Sequence, residues 1–242
     1  LVRWHHPELG FVSPAQFIPI AEESKLIIPL GEWILKKACM QMVEWREENL
    51  LDGRIAVNVS GVQLDDSNFQ IMVQKVLEQT GLNAAYLELE LTESSLMSNP
   101  EKWIEDLNAL DALGIRLAID DFGTGYSNLL MLSVLPAKEL KIDKSFVTSM
   151  LENEKTYKLV ETIMSIARTM EMNVVAEGIE TEEQQAVLTR LGCDYLQGYL
   201  FSRPLPAEQV PWLLLQINSD KQIIPINKIQ TDPAFISQKN HA

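Results

Sequence analysis

From residue 55 to residue 199 the chain repeats one rhythm: a short apolar run, then a longer stretch with helical spacing, then the next run. The runs are Ile55–Ser60, Tyr86–Leu91, Leu117–Ile119, Glu139–Asp143, Asn173–Ala176 and Asp194–Tyr199, each bounded by turn residues. Between them helices are predicted over Phe69–Thr80, from about Pro100 to Leu113 with Gly114 behind it, over Lys155–Met170, and from the cap at Thr181 to Leu191. Gln184 stands at the reciprocal position of a capping box with Thr181. Helices that alternate with strands carry the chain back to the same end of the sheet, so the strands have to pair in parallel. Counting a strand tail at Leu1–Trp4, six or seven such units fit into 242 residues, close to the roughly 250 of a (β/α) barrel. The expected fold class is α/β, a TIM-type barrel in preference to an open sheet.

The flanks are read in the same way. His5–Gly10 is a turn closed by Pro and Gly, and Ser13–Pro14 opens a helix through Glu23. A second helix, from about Leu30 to Asn49, has Ile34, Leu35, Ala38, Met42 and Trp45 on one face, a spacing that means core and not a cofactor box. Pro206–Ile217 is a final helix. The domain is therefore placed at residues 1–217, and residues 218–242 read as a tail with an added strand at Gln222–Ile226.

Composition narrows the partners. A hydrophobic content of 46% supports one large core, and the net charge of −14 speaks against a nucleic-acid polymer, which would need a basic stripe. A small phosphate ligand held through metal ions stays open. Cys39 and Cys193 lack metal-ligand spacing, as expected of structural thiols in a reducing, cytoplasmic setting. No stretch reaches the roughly 20 apolar residues of a bilayer span, and no leader pattern precedes the helices.

The chemistry gathers where the predicted strands end. Leu117–Ile119 runs into Asp120 and Asp121 and then a glycine-punctuated loop, and two like charges there call for a cation. Arg3, Asn58, Glu90, Asp120 with Asp121, Lys141 with Asp143, Glu177 and Gln197 each fall in or at the C-terminal end of a separate predicted strand. In a parallel barrel those ends share the face that carries the site. Taken singly each has a plainer reading: Asn58 a turn former, Glu90 an exposed strand residue, Lys141 a solvated position. Together, oxygen donors without His or Cys suit Mg²⁺ or Mn²⁺, with Asp120 able to bridge two ions for in-line attack of water on a phosphodiester. Lys141 and Arg3 add positive charge for the nucleophile and the phosphate. His5 and His6 read as turn surface, Trp33, Trp45, Trp103 and Trp212 as packing on helices, and Glu44–Glu48 as a solvated helix face.

These residues resemble the EAL domain family, bacterial phosphodiesterases that open cyclic di-GMP to linear pGpG on a barrel. Leu1–Trp4, Phe17–Glu22, Asn58–Ser60, Glu90–Glu93, Asp120–Gly125, Lys141–Asp143, Glu177–Glu180 and Gln197–Tyr199 are similar to the family's motifs and follow in family order. The resemblance covers Leu1 to about Leu214. It implies two Mg²⁺ or Mn²⁺ ions, one held by Asn58, Glu90 and Asp120, the other by Asp120, Asp121 and Glu177. It makes Lys141 and Glu177 catalytic, with Lys141 orienting the hydrolytic water. Arg3, Asp143 and Gln197 would bind substrate, and Glu93 and Glu180 would anchor loops, the Glu93 loop being one that couples metal binding to dimerisation. A homodimer joined to other signalling domains is implied as well.

The Glu and Ala that open the family signature do not precede Leu1, nor does the family's first strand. The expectation is a barrel lacking its first strand and part of the second, with poor turnover by the chain as it stands. The alternative is a catalytically inactive cyclic di-GMP receptor or regulatory interaction domain. A third reading, an enolase-type barrel lyase, shares the carboxylates but not the ordered motifs.

Overall fold

The computed structural model describes residues 2–50, 53–98, 100–125 and 129–220. An antiparallel hairpin, β1 (Trp4–His6) with β2 (Gly10–Val12), leads into α1 (Pro14–Glu23) and α2 (Ile27–Glu47). Then β3 (Ile55–Val59), α3 (Gly61–Leu64), α4 (Phe69–Thr80), β4 (Leu87–Thr92), α5 (Glu93–Ser98) and α6 (Pro100–Ala112) follow. The second half runs β5 (Arg116–Phe122), α7 (Leu129–Val134), β6 (Glu139–Ile142), α8 (Lys144–Ser149), α9 (Glu154–Thr169), β7 (Asn173–Ala176), α10 (Glu182–Leu191), β8 (Tyr195–Leu196) and α11 (Val210–Asp220).

β3 to β8 form one six-stranded sheet, every pair parallel, in strictly sequential order. A doubly wound sheet reverses its strand order at a switch point; this one never does, which is the winding of a (β/α) barrel. Among the described residues β3 and β8 each pair on one side only.

Alternation along the strands sorts the side chains into two sets. Leu87, Leu89 and Leu91 of β4 and Leu117 and Ile119 of β5 share a core cluster with Val73, Trp103, Leu107 and Leu110 of the helices. Glu88, Glu90, Ala118 and Asp120 take the opposite face, yet β4 is buried along both faces from Leu87 to Leu91. That inner face is where the polar residues collect.

Several boundaries differ from the sequence reading. α2 starts at Ile27, ahead of Leu30, because Pro29 sits in the first turn, where a missing N–H costs nothing. His5 and His6 belong to β1, and the turn shrinks to residues 7–9 with Gly10 at φ 69°. β5 does not stop at Ile119 but continues through both aspartates to Phe122. The last helix begins at Val210 behind a 3-10 turn at Ala207–Gln209 and reaches Asp220, so residues 218–220 are helical and not tail. The expected strand at Gln222–Ile226 lies outside the described residues. The short helices α3, α5, α7 and α8 were not anticipated.

Candidate active site

The site is built from the C-terminal ends of the sheet strands. Parallel pairing sets Asn58 of β3 beside Glu90 of β4, and the Asn58 Nδ2 donates to Glu90 Oε2 at 2.8 Å. On the next strand a bulge interrupts the β5–β6 register between Ile119 and Phe122. It leaves two β5 residues opposite one on β6, with Asp121 in the left-handed region at φ 54°. Aspartate tolerates that region better than most residues, and the bulge sets both carboxylates at the sheet end. The Asp121 N–H donates to Asp120 Oδ1 at 3.0 Å.

Lys141 of β6 lies at the centre. Its Nζ is 2.7 Å from Glu90 Oε1, 3.1 Å from Asp120 Oδ1 and 2.6 Å from Glu177 Oε1, and only 6% of its side chain is exposed. One ammonium therefore balances carboxylates from β4, β5 and the turn after β7. Burial alone would favour losing the proton, but the three carboxylates outweigh it and hold the ammonium well above its ordinary range. Burial pushes the Glu177 carboxyl up, with Lys141 opposing, and pushes Asp121 up with help from Asp120 and Asp143. Three carboxylates on one ammonium, with Asp121 beside them, make an inner face with excess negative charge.

Two glycines let the last pieces approach. A side chain at Gly178 would run into Lys144 Cγ at 2.4 Å, in a backbone already at φ 70°. At Gly198 it would strike the Ile179 carbonyl oxygen at 2.1 Å, so the turns bearing Glu177 and Gln197 pack backbone to backbone. They are hydrogen-bonded there through Ile179 N–H to Gln197 O at 3.0 Å.

The structure thus brings together Asn58, Glu90, Asp120, Asp121, Lys141 and Glu177. Asp143 caps α8, accepting from the Ser145 backbone N–H at 3.0 Å and from its hydroxyl, and remains close enough to act on Asp121. Gln197 follows β8 with an exposed side chain. Arg3 precedes β1 of the hairpin and is exposed, its Nη1 donating to Val2 O at 2.9 Å, so it does not end a strand of the parallel sheet. Glu93 is fully buried and accepts from the Gly123 N–H at 2.8 Å, tying the end of β4 to the loop after β5. Glu180 pairs with Lys144 at 2.6 Å, and its backbone N–H donates to Gln184. Sequence reasoning missed a second polar layer, Glu88, Arg116 and Glu139, two residues before Glu90, four before Asp120 and two before Lys141. The signal was there: charged residues on the inner phase of three apolar runs.

Among the described residues no three His, Cys, Asp or Glu side chains are drawn together tightly enough to ligate one ion as they stand. The donor set nevertheless fits a hard divalent cation. Its donors are all oxygen, its carboxylates outnumber its ammonium, and burial already drives Asp121 and Glu177 toward the protonated form.

Fold and site together define a class: a sequentially wound parallel α/β protein of the TIM-barrel type, with an oxygen-rich charged centre at the strand ends. Within that class the chain belongs to the EAL domain family, whose model matches residues 1–204. It is 45% identical over 210 residues to the bifunctional diguanylate cyclase/cyclic di-GMP phosphodiesterase MucR of Pseudomonas aeruginosa, covering 87% of this chain and 31% of MucR. To the cyclic di-GMP phosphodiesterase NbdA of the same organism it is 42% identical over 206 residues, covering 85% and 26%. A solved structure of PaMucR phosphodiesterase in complex with c-di-GMP matches with a TM-score of 0.84 at 45% identity, covering 87% of this chain and 85% of that one. The chain spans under a third of those curated relatives. No helix among the described residues is long and apolar enough to cross a membrane.

Proposed function

We propose that the chain is a metal-dependent phosphodiesterase domain that hydrolyses cyclic di-GMP to linear pGpG in bacterial second-messenger signalling. The observation that carries this reading is the Lys141 ammonium held by Glu90, Asp120 and Glu177 at the strand ends. The relatives named for the same activity support it. Asn58, Glu90 and Asp120 would hold one Mg²⁺ or Mn²⁺, and Asp120, Asp121 and Glu177 a second. When bound, the ions would supply Lewis-acid charge to the phosphate and acidify the attacking water.

The chain's own groups then divide the work. Lys141, whose charge the three carboxylates favour, would donate hydrogen bonds that aim the water. Glu177, whose Oε1 is in contact with the same ammonium, would act on that water beside Lys141 while serving as a ligand of the second ion. Arg3, Asp143 and Gln197 serve the nucleotide, and Glu93 fixes the loop after Asp121, through which a homodimer would sense the site. Whatever turnover of cyclic di-GMP the purified protein shows should vanish on chelation and return with Mg²⁺ or Mn²⁺. Ca²⁺ should fail, because its longer, looser coordination spoils in-line geometry. Undiminished turnover in chelator would overturn the reading, and tight nucleotide binding without turnover under every ion would point to a receptor.

A further inference from the structure

Beneath the catalytic layer lies a second cluster of buried charge to which no part of the proposed reaction is assigned. Arg116, at the start of β5, reaches both neighbouring strands: its Nε is 3.4 Å from Glu88 Oε2 of β4, and its Nη2 is 3.3 Å from Glu139 Oε2 of β6. The same Nη2 donates to the Lys138 carbonyl at 3.3 Å, just ahead of β6. Both glutamate side chains are 9% exposed and that of Arg116 17%, so these are interior ion pairs and not surface ones. They are also imperfect, since the Arg116 Nε is buried without a hydrogen bond. Replacing such a cluster by apolar residues is often neutral or stabilising, so stability alone does not account for it.

The three strands it joins are the ones that carry Glu90, Asp120 with Asp121, and Lys141. Below the bulge the register runs Glu88 with Arg116, Ala118 with Glu139 and Ile119 with Leu140; above it, Phe122 pairs with Ile142. Asp120 and Asp121 stand between those fixed points. If β5 slipped by one residue below the bulge, so that Ile119 paired with Glu139, the bulge would vanish, Asp121 would stand opposite Lys141 and Asp120 would turn to the opposite face, because side chains alternate with period two. The register below the bulge therefore decides which aspartate meets Lys141.

We propose that Arg116 is a positioning residue: by holding Glu88 and Glu139 from its seat on β5, it locks the β4–β5–β6 register and keeps the bulge at Asp120 and Asp121. The inference rests on the metal-dependent reading for its consequence and not for its geometry. Arg116→Met should speed amide exchange of Leu140, Lys141, Ile142 and Phe122 in the metal-free protein relative to the amides of β7. It should also weaken Mn²⁺ binding by roughly tenfold, because the bulge that sets Asp120 and Asp121 is then no longer fixed. kcat should fall by more than KM changes, and Arg116→Lys should recover part of both losses.

The triple variant Glu88→Gln, Arg116→Met, Glu139→Gln separates positioning from simple instability. With the buried charges gone its thermal midpoint should return toward wild type, while fast local exchange and weak Mn²⁺ binding persist. Wild-type exchange and Mn²⁺ affinity in Arg116→Met, or full recovery of both in the triple variant, would overturn the proposal. A wild-type protein that neither binds Mn²⁺ nor turns over cyclic di-GMP would sink the metal-dependent reading instead, and the exchange comparison would still decide the register lock.

Discussion

Replacing Lys141 by methionine keeps most of the side-chain volume and removes the ammonium shared by Glu90, Asp120 and Glu177. Breaking a buried ion pair costs about 3–5 kcal/mol because the partner charge stays behind. Urea denaturation of the metal-free variant should show a loss of that size, recovered in part by Mg²⁺ as a replacement cation. A loss under about 1 kcal/mol would show that Lys141 does not hold the carboxylates. Asp120→Asn acts in the other direction, since it takes a negative charge out of a centre that has too many. Its thermal midpoint should stay within about 4 °C of wild type, while cyclic di-GMP turnover falls by several orders of magnitude for want of the shared ligand. Turnover near wild type would remove Asp120 from the bridging role.

At the scale of strands, β4, β5 and β6 carry two stacked polar layers, and the lower one titrates. Burial, together with Glu139 and Glu90, pushes Glu88 up to about 7, against the pull of Arg116; burial also raises Glu139. A carboxyl whose folded pKa exceeds its unfolded value of 4.5 binds more protons when folded. Its stabilising contribution is complete below about pH 4.5 and is lost as pH rises to about 7, on the order of 3 kcal/mol for a shift of this size. Glu88→Gln should flatten that decline, so its urea midpoint should exceed wild type at pH 8 and match it near pH 5. Equal pH slopes for the two proteins would count against a titrating layer. The sequence disclosed the long elements well, because α4, α6 and α9 carry helical periodicity over three or more turns and Thr181 with Gln184 forms the capping box its spacing implies. It did not disclose α3, α5, α7 and α8, which at four to six residues are too short for periodicity. It missed the run of β5 through Asp121, since a bulge and a left-handed aspartate look like a strand end. Glu88 and Glu139 were legible as inner-phase positions, but only three strands in register reveal that Arg116 joins them.

The whole sheet has two edges among the described residues, β3 and β8, and unpaired edges invite pairing with another chain. Tyr195 on β8 is 53% exposed, an apolar surface beside such an edge. Sedimentation of the 242-residue chain should therefore show mass rising with concentration, and Tyr195→Lys should suppress the rise, as edge lysines do in natural sheets. A monomer at every concentration would mean that the edges are covered. The sequential strand order also has a consequence for how the molecule comes into being. Each strand's partner is the next one along the chain, so pairing can follow synthesis without waiting for the C-terminus. Lys141 meets Glu90 and Asp120 once β6 has left the ribosome, whereas Glu177 emerges seconds later at about 5–20 residues per second. The nascent centre thus begins as one ammonium among three carboxylates, Glu90, Asp120 and Asp121, already in excess negative charge, and Glu177 adds a fourth late, on a frame already paired.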